Sequence, residues 1–123
     1  MIRGTGIDII EISRIKSSIE RDNKFINKIF TLNEIKYCES KTKKAQHYAA
    51  RFASKEAFFK ALGTGWRNGM SWTDIDINND SLGKPEIKLS GETLLFFNKL
   101  KLKSISLSIS HSKEYAVGFV IIE

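Results

Sequence analysis

The segment Arg51-Phe52-Ala53-Ser54-Lys55-Glu56-Ala57-Phe58-Phe59-Lys60-Ala61-Leu62 limits what this chain can become more than any other stretch. It is the body of a longer predicted helix, His47 to about Leu62, which Gly63-Thr64-Gly65 brings to an end. At 100° per residue, Phe52, Glu56, Phe59 and Gly63 fall on one stripe, and Arg51 and Lys55 share another edge. Ala50, Ser54, Ala57 and Ala61 make a smooth third face. A helix that is small or apolar nearly all round belongs inside a domain. Yet this one carries Arg51, Lys55, Glu56 and Lys60. An i,i+4 pair of Glu56 with Lys60 would contribute only about 0.2–0.5 kcal/mol. It also leaves a glutamate among phenylalanines without a reason, so the charges point to function.

The other elements must wrap around that helix. Ile2 to Ile10 reads as a strand, and Glu11 to Arg21 as a helix with Ile12, Ile15 and Ile19 on one side. Phe25, Ile26, Ile29 and Phe30 extend the apolar face through a second short helix. Thr31-Leu32-Asn33-Glu34 has the form of a capping box opening a third. In the second half, Trp72 to Ile77 and Glu86 to Leu89 read as strands joined by the turn-rich Asn78–Pro85. An amphipathic helix follows from Glu92 to Leu102. Ile105, Leu107 and Ile109 alternate with Ser106, Ser108 and Ser110, and Tyr115 to Ile122 is the expected antiparallel partner. The expected class is α+β, a small antiparallel sheet packed against helices. With 123 residues, one domain spanning 1–123 is expected.

Asp8 lies between apolar residues in Gly6-Ile7-Asp8-Ile9-Ile10. A carboxylate there is costly to bury unless it is paired or binds a cation, although it could also cap the helix that follows. Ser108-Ile109-Ser110-His111-Ser112 gives one strand a row of hydroxyls and a histidine, suited to phosphates or to a neighbouring subunit. Gly63-Thr64-Gly65 lacks the lysine-serine ending of a phosphate loop and follows a helix instead of opening one. Its N–H groups could still cradle an anion.

The single cysteine, Cys38, excludes an intrachain disulfide and a cysteine-based zinc site, and a reducing cytoplasmic setting is expected. The formal charge of +6 asks for an anionic partner without choosing one. A nucleic-acid-binding module and a magnesium-dependent phosphoryl or nucleotidyl enzyme both remain open at this point.

Three segments carry a resemblance. Gly6-Ile7-Asp8-Ile9-Ile10-Glu11-Ile12-Ser13-Arg14-Ile15, Phe52 through Gly65, and Ser108-Ile109-Ser110-His111-Ser112-Lys113-Glu114-Tyr115-Ala116 resemble the motifs of the bacterial holo-[acyl-carrier-protein] synthases. These are short, single-domain 4′-phosphopantetheinyl transferases. Phe30-Thr31-Leu32-Asn33-Glu34 and Gly83-Lys84-Pro85 add smaller agreements, so the resemblance covers essentially the whole chain.

That resemblance implies the 4′-phosphopantetheinyl transferase fold. It also implies transfer of phosphopantetheine from coenzyme A to a serine of an apo-acyl carrier protein, within fatty acid biosynthesis. Asp8 and Glu56 would hold Mg2+, and Lys60 would share the electrostatic work. Arg51, Lys60, Gly63, Gly65, Ser110 and His111 would bind coenzyme A. Arg14, Arg21, Lys24, Phe25 and Lys28 would form a docking strip for the acidic carrier protein. A homotrimer with active sites at subunit interfaces is implied, and neither nucleic acid nor membrane. The proton acceptor is Glu56 through a metal-bound water, or alternatively Glu34, whose capping role competes.

Overall fold

In the computed structural model, which describes residues 1–65 and 69–123, ten elements pack around one long helix. Strand β1 (Gly4–Glu11) leads into α1 (Ile12–Arg21), α2 (Asn23–Ile29), α3 (Leu32–Glu39) and α4 (Lys44–Leu62). A 3-10 turn (Trp72–Asp74), β2 (Ile75–Asn79), β3 (Pro85–Leu89), α5 (Gly91–Lys99), β4 (Ile105–His111) and β5 (Tyr115–Ile122) complete the chain. The α+β expectation holds.

Strands β1, β5 and β4 form an antiparallel sheet in that order, and β2 pairs with β3 in a separate hairpin. The register places Asp8 opposite Gly118, and Gly118 opposite Ile109. Alternation then turns Gly4, Gly6, Asp8 and Ile10 toward α4, while Thr5, Ile7 and Ile9 face outward. The approach to α4 is close. A Cβ on Gly6 would meet the Ala57 carbonyl and, at 2.7 Å, the Ala61 nitrogen. On Gly118 it would lie 2.7 Å from both the nitrogen and the Cα of Ser54. Only glycines let the sheet settle this deeply onto the helix backbone.

Two apolar clusters flank α4. Its C-terminal half, with Phe58 and Phe59, packs with Ile75, Ile77, Phe97, Leu107, Val120 and Ile122. Its N-terminal half packs with Ile10, Ile15, Ile29, Phe30 and Cys38. Each fully buried phenylalanine contributes about 1.5–3 kcal/mol from apolar burial. The helix with mixed faces is therefore central, as its sequence required.

Several boundaries differ from the sequence reading. Glu11 belongs to β1 and is the N-cap residue of α1, so Asp8 does not cap that helix. Helix α4 begins at Lys44, three residues before the expected start, without a side-chain cap. Trp72 to Asp74 is a 3-10 turn instead of strand, because Asp74 and Ser71 close a reciprocal cap there. Helix α5 stops at Lys99, and Lys101, just past the capping Leu100, adopts positive φ. The alanine face of α4 is not a surface for another subunit. Ala50, Ser54, Ala57 and Ala61 are all buried within the chain.

Candidate active site

The sheet-to-helix contact brings together three of the residues singled out from the sequence. Asp8 points from β1 toward α4, and Lys60 Nζ donates to Asp8 Oδ1 at 2.9 Å and to the Ile7 carbonyl at 3.0 Å. The ammonium thus reaches across to β1 and does not serve merely as an i,i+4 partner along its own helix. Glu56, one turn earlier, lies near enough to Asp8 to feel its charge. Burial raises the Glu56 pKa, Asp8 raises it further, and Lys60 opposes both. Two carboxylates and one ammonium converge on one edge of α4.

The donor set says which cation would suit the place. Among the described residues there is no group of three or more histidine, cysteine, aspartate and glutamate side chains that could hold a metal ion. A site of two carboxylates fits magnesium, which takes one or two carboxylates and completes an octahedron with phosphates and waters. It does not fit zinc, which wants nitrogen or sulfur ligands.

His111 occupies the end of β4, on the same sheet face as Asp8. From strand spacing and rise, two strands across and two residues along, the two Cα atoms are about 12 Å apart. Gln46 Nε2 approaches His111 Nδ1 at 2.5 Å. Beside this pair lies an open groove of about 740 Å³, whose lining includes Ile12, Ile19, Lys43, Lys44 and Lys113. Ser110 has the opposite orientation. Its row is Ile9, Val117 and Ser110, on the outward face.

Arg51 is buried. Its guanidinium stacks over the Tyr37 ring at 4.1 Å and donates to Asn79 Oδ1 at 3.1 Å, while Nε has no partner among the described residues. His47 meets the same ring edge-on, and Lys41 lies over it at 4.8 Å. Burial lowers the His47 pKa first, and the charges of Arg51, Lys41 and His111 lower it further. This cationic cluster escaped the sequence reading because its members are scattered along three segments. His47 stood at a helix start with nothing to mark it.

Gly63 ends α4 in the left-handed conformation, φ +80°, with its N–H bonded to the Lys60 carbonyl. A side chain at Gly63 or Gly65 would meet nothing within 4 Å among the described residues.

Arg14, Arg21, Lys24 and Lys28 are exposed along α1 and α2. Phe25, between them, is half-buried and packs on Phe30 and Phe52 with ring centroids 6.2 and 6.1 Å apart. Its first task is in the core. Glu34 forms the expected capping box with Thr31 but is fully buried, and its partner is one the sequence did not disclose: Lys55 Nζ at 2.7 Å. With Oε1 taken by Thr31 and Lys55 and Oε2 by the Ile77 N–H, Glu34 faces no solvent. The available signal was Lys55 itself, since an ammonium on a helix buried all round demands a carboxylate.

The sequence and the overall fold have counterparts among known proteins. The sequence profile of the 4′-phosphopantetheinyl transferase superfamily matches residues 4–120. The chain belongs to this superfamily. The holo-[acyl-carrier-protein] synthase of Geobacter sulfurreducens is 48% identical over 124 residues, covering 100% of this chain and 98% of that one. Among solved structures, the enzyme of Neisseria meningitidis superposes with a TM-score of 0.91 at 35% identity, covering 100% and 99% of the two chains. That of Bacillus anthracis, in complex with CoA (3′,5′-ADP), gives 0.82 at 41% identity over 100% and 97%. The family read from three motifs is thus shown along essentially the full length of this phosphopantetheinyl transferase.

Proposed function

We propose that this phosphopantetheinyl transferase moves 4′-phosphopantetheine from coenzyme A to a serine of an apo-acyl carrier protein, releasing adenosine 3′,5′-bisphosphate. The observation that carries this reading is the convergence of Asp8, Glu56 and Lys60 on one edge of α4, in a chain whose full-length relatives are holo-[acyl-carrier-protein] synthases. Its setting is the cytoplasm and its pathway fatty acid biosynthesis. No helix among the described residues is long and apolar enough to cross a membrane.

The carrier serine oxygen bonds to the β-phosphorus, and the bond from that phosphorus to the bridging oxygen breaks. The serine proton leaves to Glu56 through a water. Asp8 and Glu56 would hold Mg2+, which supplies charge neutralisation at the pyrophosphate. Lys60, half exposed and fixed to β1 by Asp8 and the Ile7 carbonyl, directs its positive charge at the same phosphates. Gly63 and Gly65 leave room for the ligand to pass the end of α4. Arg51 offers positive charge and His111 a ring nitrogen to the nucleotide end, and Ser110 offers a hydroxyl from the outward face.

The carrier protein docks on Arg14, Arg21, Lys24 and Lys28, with Phe25 between them. Rim charges of this kind act mainly on association rate and are screened by salt. The outward face of the sheet supports a homotrimer with sites where subunits meet. Ile7 and Ile9, flanking Asp8, are 59% and 62% exposed, and Tyr115 and Phe119 extend the same apolar patch.

The test incubates the protein with coenzyme A, Mg2+ and apo-carrier protein. The carrier should gain the mass of one phosphopantetheine with release of adenosine 3′,5′-bisphosphate. Asp8→Ala and Glu56→Ala should abolish the gain while leaving the circular dichroism spectrum intact. Wild-type rates in either variant refute the metal assignment.

A further inference from the structure

One residue before Glu56, α4 carries an ammonium that never reaches solvent. Lys55 Nζ donates to Glu34 Oε1 at 2.7 Å, to the Ile29 carbonyl at 2.7 Å and to the Trp72 carbonyl at 3.1 Å. An ammonium has three protons, and here each has an acceptor. The acceptors come from the start of α3, the end of α2 and the turn before β2. Glu34 is itself held by the Thr31 and Ile77 N–H groups. The ammonium is tied to three elements at once.

Stability does not account for such a pair. Exchanging a buried ion pair for apolar side chains of equal volume is often neutral or favourable. Burial pushes the Lys55 pKa down, with the Glu34 charge and hydrogen bond opposing, so the ammonium costs desolvation here. What it provides, and a methionine would not, is direction. Rotating α4 about its axis would break all three bonds together. The Glu56 carboxylate extends roughly 6 Å from that axis, so a rotation of about 10° displaces it by about 1 Å. A misplacement of that size can cost about 10²-fold in rate.

We propose that Lys55 is a positioning residue which sets the rotation of α4 and so holds Glu56 at the angle where it meets Asp8. The inference rests on Asp8 and Glu56 being the metal pair. It assigns Glu34 the part of counter-ion and excludes it as proton acceptor.

The experiment measures Mn2+ binding by electron paramagnetic resonance in the presence of coenzyme A, alongside kcat, KM and melting temperature. Glu34→Gln/Lys55→Met leaves no uncompensated buried charge. It should melt near the wild type, bind Mn2+ about tenfold more weakly and lose roughly 10- to 10²-fold in kcat, with KM for the carrier unchanged. Glu34→Gln alone leaves the two carbonyls holding Lys55, so Mn2+ affinity and kcat should stay within about threefold even where melting falls.

A folded double variant with wild-type Mn2+ affinity and kcat overturns the proposal. So does a Glu34→Gln variant that loses kcat as far as the double variant at unchanged Mn2+ affinity, for that would make Glu34 the proton acceptor. Should the double variant not fold, Glu34→Leu/Lys55→Leu carries the same readouts. Absence of Mn2+ binding to the wild type would sink the metal reading and this inference with it. Wild-type Mn2+ affinity and kcat in the folded double variant sink this inference alone.

Discussion

Gly118→Ala tests whether the closeness of sheet and helix is what assembles the site. Gly118 stands in β5 opposite Asp8, with its α-hydrogen toward the backbone of α4. The new methyl carbon would lie 2.7 Å from both the nitrogen and the Cα of Ser54, and 2.9 Å from the Ala53 carbonyl carbon. Ordinary contact begins at 3.4 Å, so 3.4 less 2.7 leaves about 0.7 Å to be found. The clashing atoms are backbone, which has no rotamer to change. Sheet and helix must separate, and the paired register carries Asp8 along with Gly118.

Overpacking of this kind costs about 1–3 kcal/mol, offset by about 0.4–1 kcal/mol from the stiffer unfolded chain. A net loss of about 1–2 kcal/mol should lower the melting temperature by roughly 3–8 °C for a chain of this size. A displacement approaching 1 Å between Asp8 and Glu56 should lower kcat by about tenfold or more. The KM for carrier protein should hold, since α1 and α2 lie elsewhere. Melting is followed by circular dichroism and turnover by carrier mass with saturating Mg2+. A variant that melts within about 1 °C of the wild type and turns over at its rate would refute the packing reasoning.

Arg14→Glu should raise the KM for carrier protein more than that for coenzyme A, and the difference should shrink with added salt; equal effects on both substrates count against the docking strip. Ile9→Asp places a charge in the outward apolar patch. If the proposed trimer forms through this face, sedimentation should show it giving way to single chains that keep their circular dichroism, and an unchanged mass would remove that face from the interface. Asp76 tests pH dependence. Burial raises its pKa, but hydrogen bonds from Thr31, Asn78 and Asn33 outweigh burial and bring it below the ordinary 3.8. A depressed folded value stabilises above pH 3.8, and that stability is lost as pH falls through the folded pKa. Asp76→Asn should therefore melt below the wild type at neutral pH, with the gap narrowing under acid. A gap constant down to about pH 2 would contradict this.

The elements were legible where one periodicity prevailed. Ser-Ile alternation in β4 and the apolar repeat of α1 describe faces that the fold does turn inward or outward. The capping box at Thr31 and the glycine stop at Gly63 are local devices, and both occur where their residues stand. Trp72 to Asp74 misled because it carries strand-like residues, whereas Asp74 reaches back to Ser71 and forward to Thr93. The alanine face of α4 named no partner by itself. Small side chains signal close approach of something, and only the glycines of β1 and β5 identify that something as the chain's own sheet.

The same glycines separate what could be read of the site from what could not. Asp8 and Glu56 each break a local pattern and were visible singly, since an unexplained carboxylate in an apolar setting is a local fact. Their meeting is not local. It requires Gly6 and Gly118 to admit α4, and a glycine in a strand can equally mark a bulge or a bend. Lys55 lies further from legibility: its place on a buried helix calls for a counter-ion, but nothing local names Glu34 or the two carbonyls, at the end of α2 and in the turn before β2, that close over it. A single sequence reveals which residues are out of place. Which of them are out of place together depends on how near two backbones can come, and at Gly118 that margin is smaller than one methyl group.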